Sequence, residues 1–203
     1  MFINRHHMPK NTTRSGVIPY IIKDSQLFFL LGVDRVTLDL TDFGGGIKAK
    51  ESVVDAAFRE LCEESCGLFG ETIKKDDLYT APAVTNQSKK MIIFFLRINP
   101  NWLYHAEHVF RNCQSRCGQI KKYNELVGVK WIADVDFRVI AFNRYNQCMW
   151  KRVQNILSFN TNWDELRIIL FLGQELCNSS GDDKDEQWHL VLSKGKTRQI
   201  ISA

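Results

Sequence analysis

Apolar and polar positions along the chain first follow the period of strands and then that of a helix. Residues 16–22 and 27–33 are apolar, β-prone runs separated by the polar stretch 23–26, the pattern of a hairpin. A third short run at 36–40 leads into Asp42-Phe43-Gly44-Gly45-Gly46, where glycines let the backbone turn tightly and approach a ligand. Over 52–65 the period lengthens: Val54, Ala57, Phe58 and Leu61 recur at i, i+3, i+4 and i+7. Ser52 is a candidate N-cap with Asp55 three residues on, and Gly67 is a natural stop. Residues 78–84 and 91–98 read as strands joined across the polar 85–90, 102–117 as an amphipathic helix, and 127–132 as a further strand. Tyr145, Met149, Val153, Ile156 and Leu157 mark another helix, and 162–176 a more apolar one. Residues 1–14 lack periodicity and read as a loose tail, while 179–186 form an acidic loop before a short run at 188–192 and a basic end. Strands with interposed helices predict an α/β fold, a mixed sheet between helices. The expected organisation is one domain over 15–203 with a helical extension from about 141.

Composition changes this picture little. Of 203 residues, 44% are hydrophobic and 25% charged, a balance that supports a packed core. The net charge of +4 suits anionic ligands without requiring nucleic acid. No apolar run approaches the ~18 residues needed to span a bilayer. The polar, basic start has no apolar stretch behind it, so a soluble cytoplasmic protein with no membrane partner is expected. Cysteines 62, 66, 113, 117, 148 and 177 are scattered, and reduced thiols are expected. The x3 spacings of Cys62/Cys66 and Cys113/Cys117 match no common zinc motif, even with His105 and His108 nearby.

The chemistry concentrates in Gly45-x5-Glu51-x7-Arg59-Glu60-Leu61-x-Glu63-Glu64. On a helix, Glu60, Glu63 and Glu64 converge on one face, away from the apolar stripe. Carboxylates so placed repel one another unless a cation sits among them. Arg59 offsets part of this, and a divalent ion offsets more. Hard oxygen donors without thiols or imidazoles suit Mg²⁺ or Mn²⁺. Arg59 also stands about two helical turns from Glu51 and can reach back to fix the loop. The bland alternative is a solvated acidic face, which the glycine loop immediately upstream argues against.

This stretch resembles the Nudix box, G-x5-E-x7-R-E-U-x-E-E-x-G-U with U a bulky aliphatic residue. Gly45, Glu51, Arg59, Glu60, Leu61, Glu63 and Glu64 match it. Three positions depart: Cys66 stands at the next box glycine with Gly67 one place late, Phe43 where many relatives have proline, and Lys50 where glycine is common. A helix end extended by one residue is the expected result of the first. The resemblance implies a Nudix fold and a hydrolase cleaving the pyrophosphate linkage of nucleoside diphosphate-linked compounds by water attack on phosphorus. It implies that Glu60, Glu63 and Glu64 hold Mg²⁺ or Mn²⁺, with the Gly44 carbonyl as a further ligand. Gly45 and Gly46 would approach the substrate, and Arg59 would orient the glutamates through Glu51. The proton acceptor is Glu60 or a loop carboxylate. Glu125, before the 127–131 strand, is the leading loop candidate, ahead of Glu107 and Asp134.

Within that class a nucleotide-type phosphate substrate leads, with dinucleotide polyphosphates and diphosphoinositol polyphosphates also compatible. Basic clusters at 5–10, 89–90, 111–122 and 194–198, with the extra C-terminal helices, make capped RNA the alternative. The 42–46 loop also resembles that of Nudix proteins from large DNA viruses, some of which remove mRNA caps. Trp102 and Tyr104 are candidates for stacking on a base. The rival from another class is a non-catalytic Nudix-fold binding module.

Overall fold

The computed structural model describes residues 11–178, apart from 87, 89, 118–124 and 144. Residues 1–10, the acidic loop 179–186, the run 188–192 and the basic clusters 5–10 and 194–198 therefore lie outside the described residues, as do 118–122 and Lys89 of the others.

The two leading apolar runs form a hairpin, β1 (Arg14–Lys23) and β2 (Gln26–Asp34), paired antiparallel from Tyr20↔Phe29 to Lys23↔Gln26. Asp24 and Ser25 make the tight turn with positive φ of 50° and 59°. β1 begins at Arg14, the last residue read as tail. Along its length β1 changes partner. Its first half, Arg14–Val17, pairs antiparallel with β4 (Phe43–Gly46), and its second half pairs with β2. Pro19, which has no N–H to donate, falls in the interval where neither antiparallel partner is present. On its other side β1 runs parallel to β6 (Met91–Arg97) from Arg14↔Met91 to Tyr20↔Arg97. β5 (Ala83–Thr85) closes that edge, while β3 (Leu40–Thr41) and β7 (Leu126–Ala133) pair with β2, giving seven strands among the described residues.

Helices cover both faces of this mixed sheet, as the pattern predicts. Val17, Ile21, Leu30, Ile92 and Phe94 point to one side, where α1 (Val53–Glu64) and α3 (Trp102–Cys117) pack through Val54, Ala57, Leu61, Ala106 and Phe110. Their neighbours Ile18, Tyr20, Phe29, Leu31, Ile93 and Phe95 point to the other. There they meet α4 (Asp134–Phe142), α5 (Lys151–Asn160) and α6 (Trp163–Asn178). The period-two alternation thus serves two cores, and Met91–Leu96 is apolar throughout because both faces of β6 are covered. None of the described helices is long and apolar enough to cross a membrane.

Several elements differ from the expectation. The strand read at 36–40 shrinks to Leu40–Thr41, because the Asp34 carboxylate accepts the N–H groups of Val36 and Thr37 at 2.8 Å and curls the chain. The strand read at 78–84 is α2 (Asp77–Thr80) followed by the short β5. Asp77 accepts the Lys74 N–H at 2.8 Å and nucleates that turn. The helix read from Tyr145 begins only at Lys151: Tyr145 is 93% exposed, and Met149 bridges to Leu40. α4 carries no clear apolar period and was not expected from the pattern.

The second core centres on Phe29, fully buried, stacked on Phe137 at 4.0 Å and edge-on to Phe95 and Trp163. Phe29→Ala should cost roughly 3–5 kcal/mol of unfolding free energy, measured by denaturant titration.

Candidate active site

The glycine loop closes over a buried carboxylate. A Cβ on Gly16 would stand 1.9 Å from Asp42 Oδ2, and one on Gly44 would stand 2.5 Å from the Gly16 Cα. β1 and β4 come together only because both positions lack side chains. Asp42, fully buried, is held by Arg14 through two parallel bonds, Nη1 to Oδ2 at 2.8 Å and Nη2 to Oδ1 at 2.7 Å. The same Nη2 donates to the Gly44 carbonyl at 2.8 Å.

α1 brings its carboxylates to this loop. Ser52 caps its N-terminus, accepting the Asp55 N–H at 3.0 Å and donating to the Asp55 carboxylate at 2.6 Å, while the apolar stripe turns the opposite face into the core. Arg59 is the hub. Its Nε and Nη2 grip Glu51 at 2.7 and 3.0 Å, Nη2 also donates to the Gly46 carbonyl at 2.9 Å, and Nη1 reaches Glu60 at 2.6 Å and Glu63 at 3.4 Å. The expected reach of Arg59 back to Glu51 is therefore present. The Arg59 bonds hold the Glu51 carboxyl below the usual range, and Glu51 in turn pushes the Arg59 guanidinium up.

Glu60 and Glu64 sit in a different electrostatic setting. Glu60 lies against the loop, where a Cβ on Gly45 would stand 2.3 Å from its Oε1. Burial raises its pKa, Arg59 opposes this, and the charges of Glu63 and Glu125 add to the rise. Glu64, buried, accepts the Gly44 N–H at 2.6 Å. Burial pushes its carboxyl well above the ordinary range, and nearby Asp42 pushes further. Glu125 stands exposed at the start of β7, near enough for Glu60 to feel its charge.

The structure thus gathers Glu51, Arg59, Glu60, Glu63 and Glu64 around Gly44, Gly45 and Gly46, with Glu125 alongside. It does not gather the weaker candidates. Asp134 pairs with Gln26 and Arg167, and Trp102 packs edge-on against Phe69. Tyr104 meets Lys23. A cavity of about 320 Å³ lined by Arg97, Asn99 and Trp102 lies at the other end of β1 from the loop, since Arg97 pairs with Tyr20 and Arg14 with Met91. Sequence reasoning missed Arg14, which it left in the tail, and the Asp42 carboxylate it binds. The one available signal was an acidic residue two places before the glycine run.

Two of the three departures from the box pattern have a common geometry. Lys50 and Cys66, both at positions where glycine is the norm, adopt positive φ of 67° and 55°. The helix is not extended: it ends at Glu64, and the Gly67 N–H returns to the Cys62 carbonyl at 2.8 Å. Cys66 takes the first left-handed position and Gly67, at φ 70°, the second. Burial pushes the Cys66 thiol up to about 11, so it stays protonated at neutral pH.

Among the described residues no three His, Cys, Asp or Glu side chains form a ready-made cation cluster. The donor chemistry nevertheless fits a hard divalent ion: the groups are all oxygens, and Glu60 is crowded by the like charges of Glu63 and Glu125.

No protein-family model matches the chain, and the search of curated proteins finds no match. Solved structures do. The chain is similar to an Ap4A hydrolase from C. elegans, at 16% identity over 78% of this chain and 98% of that one, with a TM-score of 0.46. It is similar to a MutT/nudix family protein from Listeria innocua, at 14% identity over 84% and 99%, TM-score 0.38. It is similar also to one from Enterococcus faecalis at 13% identity and TM-score 0.38, covering 62% of this chain but spanning only 44% of that protein.

The raised Glu64 carboxyl gives a stability signature. Its folded pKa lies above the ordinary 4.5, so in the cation-free protein stability is fully present below that value and is lost as pH rises through the folded one. Glu64→Gln should flatten that decline and raise the neutral-pH melting temperature in chelator, read by thermal scans at stepped pH.

Proposed function

We propose that this chain is a Nudix-type pyrophosphohydrolase, which uses Mg²⁺ or Mn²⁺ to cleave nucleoside diphosphate-linked compounds by water attack on phosphorus. The observation that carries the reading is the Arg59 hub. One guanidinium ties Glu51 and the Gly46 carbonyl on the loop to Glu60 and Glu63 on the helix. Glu51, Arg59, Glu60 and Glu63 are thereby joined into one bonded unit, which a merely solvated acidic face would lack.

Glu60, Glu63 and Glu64, with the Gly44 carbonyl, would hold the cation. When bound, it neutralises phosphate oxygens and acidifies the attacking water. The protein's own residues do the rest. Arg59 keeps Glu60 and Glu63 in fixed rotamers, so little reorganisation is needed at the moment of reaction. The glycine loop offers backbone that phosphate can approach closely, with nothing within 4 Å of a Cβ at Gly46. Glu60, whose proton affinity is raised, and exposed Glu125 are the two carboxylates placed to accept the water's proton. The leaving group is itself a phosphate, so positioning and charge neutralisation suffice. The substrate class we favour is a small nucleotide. The terminal basic clusters that point to capped RNA lie outside the described residues.

The test is a panel of dinucleoside polyphosphates, nucleotide sugars and ADP-ribose-type compounds assayed with Mg²⁺ or Mn²⁺ in ¹⁸O-water. Cation-dependent release of a nucleoside monophosphate, with the label in a product phosphate, is expected, and Glu64→Gln should lower turnover roughly hundredfold or more. Gly45→Ala should displace the Glu60 carboxylate and lower turnover about tenfold with little change in melting temperature. Unchanged turnover in Glu64→Gln would remove the assignment. Cation-induced stabilisation without any product would mark a binding module instead.

A further inference from the structure

We infer that Trp150, brought to the glycine loop by the chain beyond the sheet, is a positioning residue that holds Arg14 on Asp42 and on the carbonyl of Gly44. The inference rests on the Nudix-type reading above, in which that carbonyl faces the cation. Three observations meet here. The Arg14 guanidinium lies over the half-buried Trp150 ring, 4.9 Å from its centroid. Beneath the ring, Arg14 makes its two bonds to Asp42 and its third to Gly44, and its side chain is only 12% exposed. Finally, the segment that carries Trp150 is stitched to β3. The Leu40 N–H donates to the Cys148 carbonyl and the Trp150 N–H to the Leu40 carbonyl, each at 2.8 Å, with Met149 bridging to Leu40 in parallel.

The consequence follows from connectivity. Leu40 is two residues before Asp42, so residues 148–150 fix the strand that presents the carboxylate and also cover the cation that grips it. Both partners of the buried ion pair are held by one three-residue segment. A planar guanidinium that lies over an aromatic ring and is bonded along its edge to a carboxylate has little freedom left, and its Nη2 also donates to the Gly44 carbonyl. Lysine, a point charge without the fork, cannot make the three bonds together. Arg14 and Trp150 touch no substrate in this scheme; they act through the loop. Outer-shell groups of this kind commonly set the affinity of the ion they never touch.

The experiment compares wild type with Trp150→Leu, Trp150→Phe and Arg14→Lys, and with Tyr145→Ala as a control at a 93% exposed position in the same segment. Mn²⁺ alone is titrated by calorimetry and by electron paramagnetic resonance, and kcat and KM are measured on whichever panel compound wild type hydrolyses. Trp150→Leu and Arg14→Lys should each weaken Mn²⁺ binding about tenfold and lower kcat by a similar factor, with KM within about twofold. Trp150→Phe, which keeps an aromatic face, should recover most of both, and Tyr145→Ala should match wild type. A purely structural role would lower melting temperature without the split between kcat and KM or the aromatic rescue. If Trp150→Leu does not fold, Arg14→Lys decides. Wild-type Mn²⁺ affinity and kcat in a folded Arg14→Lys protein overturn the inference and leave the functional reading standing. A wild type that neither binds Mn²⁺ nor forms product overturns both.

Discussion

Carboxylates crowded on one helix face repel one another, and in this protein a planar cation on the same helix draws them together. Arg59 has a rigid fork of donors, so it satisfies Glu51 and the Gly46 carbonyl on one side while reaching Glu60 and Glu63 on the other. Everything around the loop is compatible with that fork. Glycine at position 45 leaves room for the Glu60 carboxylate, and the apolar stripe of α1 anchors the opposite face so the helix cannot roll away. A second guanidinium, Arg14, plays the matching part from the sheet, neutralising Asp42 beneath the loop. Glu64 is buried near Asp42, and burial and that like charge raise its proton affinity against the opposing pull of the Gly44 N–H and of Arg14.

The sheet explains why the loop is where it is. β1 would ordinarily keep one antiparallel neighbour along its length. Here it gives up β2 at Pro19 and takes β4, so the strand pair splays and β4 enters at the N-terminal end of β1. That arrangement places three consecutive glycines beside the helix end that carries Glu60, Glu63 and Glu64. The close Gly16–Gly44 approach lets the splay close again over Asp42 without a void.

How much of this could be read from the residues depended on whether the signal was local. The α1 helix, its Ser52 cap and the convergence of its glutamates follow from spacing alone, as do the long strands with their alternating or continuous apolar runs. The glycine loop was equally plain. What failed was short or long-range. The turn after β2 is made by one Asp34 carboxylate, and α2 by one Asp77, each a single-residue effect inside an otherwise β-prone stretch. Arg14 seemed part of a featureless basic tail because its meaning comes from Asp42, 28 positions later, and from Trp150, far beyond that. Met149 fitted a helical period, but its backbone was claimed by Leu40.

Lys50 and Cys66, the two left-handed residues that flank α1, carry a consequence for stability. Each holds a conformation that costs an L-residue roughly 1–2 kcal/mol relative to its preferred region. Together they absorb a noticeable part of the roughly 5–15 kcal/mol by which a domain of this kind is stable. Packing around α1 therefore has to hold those angles without the freedom that glycine would give.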